Sequence, residues 1–393
     1  MSFDDFSDTD TALRDSLGRW LADHIDLTRH ARADAPPSPP VWRSLARDLG
    51  LTGTGLPESA GGLGGGLRAH LVVLRTLGGS LCAEPYLSTA LVCGGALQRA
   101  GTPLANHLLA AIAAGDAVVA WAHAEPGARN AARPAACTLH REGAGWRLDG
   151  RKSAVTTAPW ATHWLVTACI AGSGASALVL LDAGSPGLTR RDLRALDGGW
   201  ASEVLLDHVA LPEVAVLQTG QAADDNIASA LDAGALGVCA EALGVLEKMM
   251  ADTLAHVRER RQFGVPIAGF QALQHRLADM HIAIAQAEAL TWAVADAPDD
   301  AGEAGSTTND TTAQSRALAV SAAKVTVGAA CRTVGQGAVQ LHGAMGVTEE
   351  LPVGRFFRRA TQIELMFGSS GQHLRRIDRL QTPVRGLAGA ASA

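Results

Sequence analysis

The chain reads as an α+β multidomain protein: an N-terminal α-helical domain, a middle antiparallel β-barrel or sandwich, and a C-terminal α domain like a four-helix bundle. Three observations predict this. Its 393 residues are too many for one ordinary core, so two or three domains are expected. Apolar residues recur at helical spacing in the first and last thirds. Between them lie short β-rich runs punctuated by Gly, Asp, Ser and Pro. The boundaries fall at 1–116, 117–220 and 221–393.

Leu13, Leu17, Trp20 and Leu21 fall on one helical face, with Asp10 or Thr11 as candidate caps. The proline-rich residues 35–40 break the chain, and Trp42, Leu45 and Leu49 open a second helix. The glycine-rich residues 56–66 lack the Lys-Ser/Thr of a P-loop and follow no strand, so they read as a plain loop. Two further helical segments run to about Ala114. Strands are expected at 118–121, 146–148, 164–168, 177–181 and 204–209. Long helical patterns follow at 228–261, 270–295 and 313–338. The polar, low-complexity residues 299–311 between the last two suggest a loop.

Apolar residues at 47% and charged residues at 18% suit a folded globular chain. A net charge of −6 gives no electrostatic footprint for nucleic acid. Cys82, Cys93, Cys137, Cys169, Cys239 and Cys331 form no CxxC pair and sit among small or apolar residues, so reduced buried thiols are expected rather than zinc or disulfides. The acidic start MSFDDFSDTD is not a secretory signal, and no uncharged apolar run spans a bilayer, so a cytoplasmic protein with no metal is expected.

The most specific segment is Arg260-Arg-Gln-Phe-Gly-Val-Pro-Ile-Ala-Gly-Phe-Gln-Ala-Leu-Gln-His-Arg-Leu-Ala-Asp-Met280. Read alone, it is a helix end, a Phe-Gly turn and an amphipathic helix. It resembles the R-x-x-F-G…F-Q…A-D-M signature of acyl-CoA dehydrogenases. Leu56-Pro-Glu58 with Gly61-Gly62-Leu63-Gly64, Ala124-Glu-Pro-Gly-Ala128 and Val339-Gln-Leu-His-Gly-Ala-Met-Gly346 resemble three more motifs of that family, in the same order.

The resemblance implies FAD. An isoalloxazine ring requires an apolar wall on its face and N–H or hydroxyl groups along its edge. By the resemblance, Trp121, Ala124 and Asn130 fall on the turn that borders the ring, and Thr156 on a hydroxyl position near its reducible nitrogen. Arg260 matches an arginine that reaches the diphosphate of a neighbouring subunit's FAD, where a planar guanidinium suits phosphate oxygens. Phe263 matches an apolar contact, Gln340 and Ala344 adenosine-side contacts, and Ser369 a nearby hydroxyl. Ala124, Asn130, Ala154 and Ala344 depart from the family's usual Thr, Ser/Thr, Trp and Gly; the change at Ala154 opens the flavin face.

The family's reaction, α,β-dehydrogenation of an acyl thioester, requires a carboxylate to take the α-proton while the β-hydrogen leaves as hydride. Where the family carries Y-E-G-T/S, this chain has Met366-Phe-Gly-Ser369, so Phe367 stands at the base position. At the family's second base position, on the preceding helix, stands Gly234. Asp232 lies nearby but on another helix face. Glu241 and Glu364 are candidate displaced bases, set against a structural carboxylate for Glu241 and a salt bridge to Arg358 or Arg359 for Glu364. The Phe367 backbone N–H keeps the family's role of polarising the thioester carbonyl. His342 and His373 have no Ser or Cys nucleophile beside them and read as hydrogen-bonding and helix-start residues.

The resemblance implies an FAD-dependent dehydrogenase of acyl-CoA or acyl-carrier thioesters with a displaced or partner-supplied base. Alternatives are a non-catalytic companion in a mixed tetramer with a base-bearing paralogue, and a flavin oxidase or oxygenase on the same fold. It also implies an electron-transferring flavoprotein as acceptor and a dimeric or tetrameric state.

Overall fold

The computed structural model describes residues 7–25, 40–82, 85–128, 131–297, 310–348 and 351–381. The N-terminal helices are α1 (Asp8–His24), α2 (Pro40–Leu49), α3 (Gly66–Gly79), α4 (Gly94–Ala100, entered through a π-helical turn Leu87–Cys93) and α5 (Pro103–Ala113). The cap of α1 is Ser7 rather than Asp10 or Thr11: its hydroxyl accepts from the Asp10 N–H, and the Asp10 side chain accepts from the Ser7 N–H. Asp10 thus completes a reciprocal capping box. On the other side of the helix start, Arg68 donates to Asp10 and ties α3 to α1.

One sheet follows, with β1 (Val119–Ala122), β2 (Thr138–Glu142), β3 (Gly145–Val155), β4 (His163–Ile170), β5 (Ser176–Asp182), β6 (Leu188–Arg194), β7 (Trp200–Leu211) and β8 (Val216–Thr219). Its order is β6-β7-β3-β2-β4-β5-β8, with β1 also on β4. The sheet is mixed rather than wholly antiparallel. β1 pairs with His163–Val166 and β2 with Cys169–Ile170, both parallel to β4. The two therefore line one edge of β4 in succession. β2, β6 and β8 were not expected; the polar runs TLHRE and LTRRDLR of the first two carry no alternating apolar face.

The rest is helical: α6 (Gly220–Glu259), the short hairpin β9 (Arg261–Gln262) and β10 (Val265–Pro266), α7 (Gln271–Ala295), α8 (Asp310–His342), α9 (Val353–Leu365) and α10 (Ser370–Gln381). The expected loop at 299–311 lies outside the described residues as far as 309, and Asp310 and Thr311 already belong to α8. α6 and the segment Ala313–Val347 are long and apolar enough to cross a membrane by length and composition, although neither is an uncharged run. Their apolar windows are 78% and 56% buried inside the protein, as core helices are. α6 crosses α3 at glycines: a Cβ on Gly244 would stand 1.8 Å from the Arg75 carbonyl oxygen, and one on Gly78 2.2 Å from that of Glu241. Such close approach excludes side chains at both positions. The six cysteines are free; Cys82 and Cys169 are half-buried and the other four buried.

Candidate active site at the junction of three cores

α6 carries Gly234 fully inside the protein, and the turn between α9 and α10 carries Phe367. The structure brings these two positions into contact. A Cβ built on Gly234 would lie 2.1 Å from Cε1 and 2.4 Å from Cδ1 of Phe367. The Phe367 ring also packs against three hydrophobic clusters, those of the C-terminal bundle, the N-terminal helices and the layer containing Trp121. It thus stands where the domains meet, the usual setting for a ligand cleft. Its backbone is left-handed, φ +52°, an outlier for a bulky residue. Among the described residues its N–H has no protein acceptor.

Each nearby carboxylate is held by an arginine. Arg359 donates from Nε to Glu241 Oε1 at 2.6 Å and from Nη2 to Oε2 at 2.8 Å, and from Nη1 to Asp197 Oδ2 at 2.6 Å. Burial pushes the Arg359 pKa down, but Glu241 and Asp197 outweigh it and hold the guanidinium charged. Both oxygens of Glu241 are thereby occupied, the geometry of a structural ion pair. Asp232 is paired with Arg376, Nη2 to Oδ2 at 2.9 Å. Glu364 pairs with Arg332 at 3.2 Å, not with Arg358 or Arg359, and the same oxygen accepts from the Ser370 N–H at 3.1 Å. It faces α8 and caps α10, since Arg359 lies turned toward α6.

At the other side of the junction, Trp121 lies one residue before the end of β1, and the turn beginning at Ala124 is sewn to β3 by the Ser153 N–H donating to the Ala124 carbonyl at 2.8 Å. The β3 pairing with β7 shifts between Lys152 and Val155, and Ala154 there has φ +54° and is exposed. Thr156 follows, half-buried, with no hydrogen-bond partner among the described residues. The turn at Ala124, three residues after Trp121, is thus tied to the edge of β3 three residues before Thr156. Asn130 lies outside the described residues.

Beneath that edge lies a buried network that sequence reasoning missed. Lys152, 0% exposed, donates to Glu125 Oε1 at 2.9 Å, to the His123 carbonyl at 3.1 Å and to Thr167 Oγ1 at 3.3 Å. Glu125 accepts from the backbone N–H groups of Ala135, Ala136 and Cys137. Burial raises the Glu125 pKa, but the Lys152 ammonium and the N–H groups prevail and bring it down to about 2. The signal was present: a Glu in the turn motif and a Lys at an inward position of an alternating strand.

The remaining predicted residues sit elsewhere. Arg260 caps α6 and is exposed, as are Phe263 (92%), Gln340 and Ala344. His256, one turn before Arg260, stacks on His342 with ring centroids 4.4 Å apart, so this group shares one end of the bundle. His342 Nδ1 also donates to the Ala338 carbonyl. From Gly234 to Arg260 the helix rises roughly 40 Å at about 1.5 Å per residue. A chain's own Arg260 therefore does not serve the site at its own Phe367. Ser369 immediately precedes α10 and donates its hydroxyl to Gln372 Oε1 at 3.1 Å.

These groups fit a flavin: the Trp121 indole N–H is buried without a partner, the Thr156 hydroxyl is unengaged, and the exposed Arg260 forms no ion pair among the described residues.

Helices, mixed sheet and helical bundle meet around this junction. Comparison with known proteins agrees with the resemblance read from the sequence. Residues 7–116, 120–209 and 225–381 match the N-terminal, middle and C-terminal domains of acyl-CoA dehydrogenase. The chain belongs to the acyl-CoA dehydrogenase family. It is 33% identical over 350 residues to acyl-CoA dehydrogenase FadE27 of Mycobacterium tuberculosis, covering 88% of this chain and 89% of that protein. Its fold matches the steroid ACAD Tcur3481-Tcur3483 with TM-score 0.83 at 30% identity, covering 95% and 97% of the two chains. It also matches the ChsE4-ChsE5 complex of Mycobacterium tuberculosis, TM-score 0.83 at 28% identity, over 98% and 100%.

Proposed function

We propose that this chain is an FAD-binding, acyl-CoA dehydrogenase-type subunit acting on an acyl thioester, with the α-proton removed by a carboxylate of a partner chain. One observation carries the reading: Phe367 packs directly on Gly234, so both places where the resemblance puts a base are filled by a ring and a bare backbone. Asp232 and Glu241 are bound bidentately by arginines, the geometry of structural ion pairs.

Bound FAD supplies the hydride acceptor. Trp121, Ala124, Asn130 and Thr156 would border its ring, with Ser369 nearby. Arg260, Phe263, Gln340 and Ala344 would meet the nucleotide end of the FAD of another subunit. The Phe367 N–H would hold the thioester carbonyl of CoA or of a carrier protein. An electron-transferring flavoprotein would reoxidise the flavin, and the assembly would be a cytoplasmic dimer or tetramer. Support for a mixed assembly comes from two similar structures whose names join two chains. The test is reconstitution: this chain alone should not turn over acyl-CoA, and adding a base-bearing related chain should produce activity that fractionates with the complex.

A second reading, a displaced base within this chain, is favoured by one feature of Glu364. Only its Oε1 is engaged, so Oε2 remains available. Glu364→Gln separates the two readings, since it abolishes turnover of the isolated chain only if Glu364 is the base.

A further inference from the structure

The Phe367 turn is held by a buried cation that no motif points to. Lys324, on α8, is 0% exposed. Its Nζ donates to the carbonyls of Ile363 at 3.0 Å, Glu364 at 3.0 Å and Gly368 at 2.9 Å. Three carbonyl acceptors require three N–H donors, which only the ammonium form has. His373, 5% exposed on α10, places Nε2 3.0 Å from the Phe367 carbonyl. A carbonyl can only accept, so Nε2 carries the proton, and Nδ1 faces Ser321 Oγ at 3.2 Å. Four successive or near-successive carbonyls, at 363, 364, 367 and 368, are thus pinned by two buried side chains.

Backbone strain gives this clamp its purpose. Phe367 has φ +52° and Gly368 φ +106°, two left-handed residues in a row. A bulky residue keeps such a conformation only when its surroundings over-determine it, and such outliers cluster where backbone groups meet ligands. With both carbonyls of the turn turned inward to Lys324 and His373, the N–H groups of Phe367 and Gly368 are left without a protein acceptor among the described residues, and the resemblance puts the carbonyl-binding donor at the first of them. Preorganised backbone donors of this kind act on carbonyl oxygens.

We infer that Lys324 and His373 are positioning residues that lock the Phe367 turn so that its N–H is presented to the carbonyl of a bound acyl thioester. The inference rests on the proposed thioester reading and adds the residues that make the donor rigid.

The test compares an acyl-CoA thioester with the matching alkyl thioether, which lacks the carbonyl, for binding to the purified FAD-loaded protein. Backbone hydrogen exchange of residues 363–369 is followed alongside. The wild type should hold the thioester about tenfold tighter, the worth of one good hydrogen bond. Lys324→Met should bring that ratio to about one while keeping thioether affinity, and should speed exchange at 363–369 but not in α6. If Lys324→Met does not fold, His373→Phe should lower the ratio and His373→Gln, which keeps an N–H near the Nε2 position, should restore it. A ratio unchanged in Lys324→Met or His373→Phe overturns the positioning role while the thioester reading stands. A wild type that does not distinguish the two ligands overturns both, and faster exchange in Lys324→Met then shows a clamp serving the fold alone.

Discussion

Gly234 and Phe367 are in contact with no room between helix backbone and ring: a β-carbon on Gly234 would stand 2.1 Å from Phe367 Cε1. The ring cannot step aside cheaply, because three core clusters pack around it. Gly234→Ala should therefore destabilise the protein by about 1–3 kcal/mol through overpacking, although Ala is the better helix former by about 1 kcal/mol. In a Phe367→Ala background the sign should reverse. Denaturant unfolding of the four proteins gives the coupling; additive effects would mean that the contact is not what fixes Gly234.

Phe367→Glu should yield slow but measurable anaerobic flavin bleaching by acyl-CoA, because the shorter side chain restores a carboxylate where the resemblance places one. A positioned general base contributes roughly 10²–10⁴-fold, so even partial recovery is readable. Gly234→Glu alone should recover nothing, since the Phe367 ring fills the space its side chain needs. Activity in Gly234→Glu with Phe367 intact would contradict this ordering.

Arg260→Ala should weaken FAD retention more than Arg261→Ala. The two differ little in charge or exposure, so net charge cannot separate them. Flavin content after gel filtration measures the effect, and equal retention would mean that Arg260 does not meet the cofactor of another subunit.

The Glu125–Lys152 pair predicts a pH window. Glu125 has its folded pKa brought from 4.5 to about 2, so its contribution is present above the unfolded value and is lost as pH falls from 4.5 through about 2. Glu125→Gln should leave the buried Lys152 charge uncompensated and cost about 3–5 kcal/mol at neutral pH. Its stability should also fall less steeply than that of the wild type between pH 4.5 and 2. Parallel acid limbs for the two proteins would show that Glu125 titrates normally.

The three-part architecture was legible because hydrophobic period reports burial directly. Leu13, Leu17 and Leu21, or the apolar runs of β4 and β5, have that period whatever surrounds them. Edge-type polar strands such as β6 were not legible, since their pairing lies in backbone groups common to every residue. The empty base positions could be read because Phe367 and Gly234 fall at fixed distances from recognisable motifs. Their contact could not, since they are 133 residues apart and meet only through the packing of α6 against the α9–α10 turn. The same holds for the partners of Glu241 and Glu364. Arg359 is next to Arg358 in sequence, yet the direction of α9 sends its guanidinium to Glu241 and Asp197 and leaves Glu364 to Arg332. Lys152 was legible only through its inward place on an alternating strand, and nothing in the helical pattern around Lys324 marks that lysine as wholly buried.

On the proposed function, this chain does not carry its own base. The most direct measurement is the visible spectrum of the isolated, FAD-loaded chain during anaerobic addition of saturated acyl-CoA thioesters of several lengths. The flavin absorbance should stay essentially unchanged, with no enoyl product by mass. Rapid bleaching with the enoyl thioester formed would place the base within this chain.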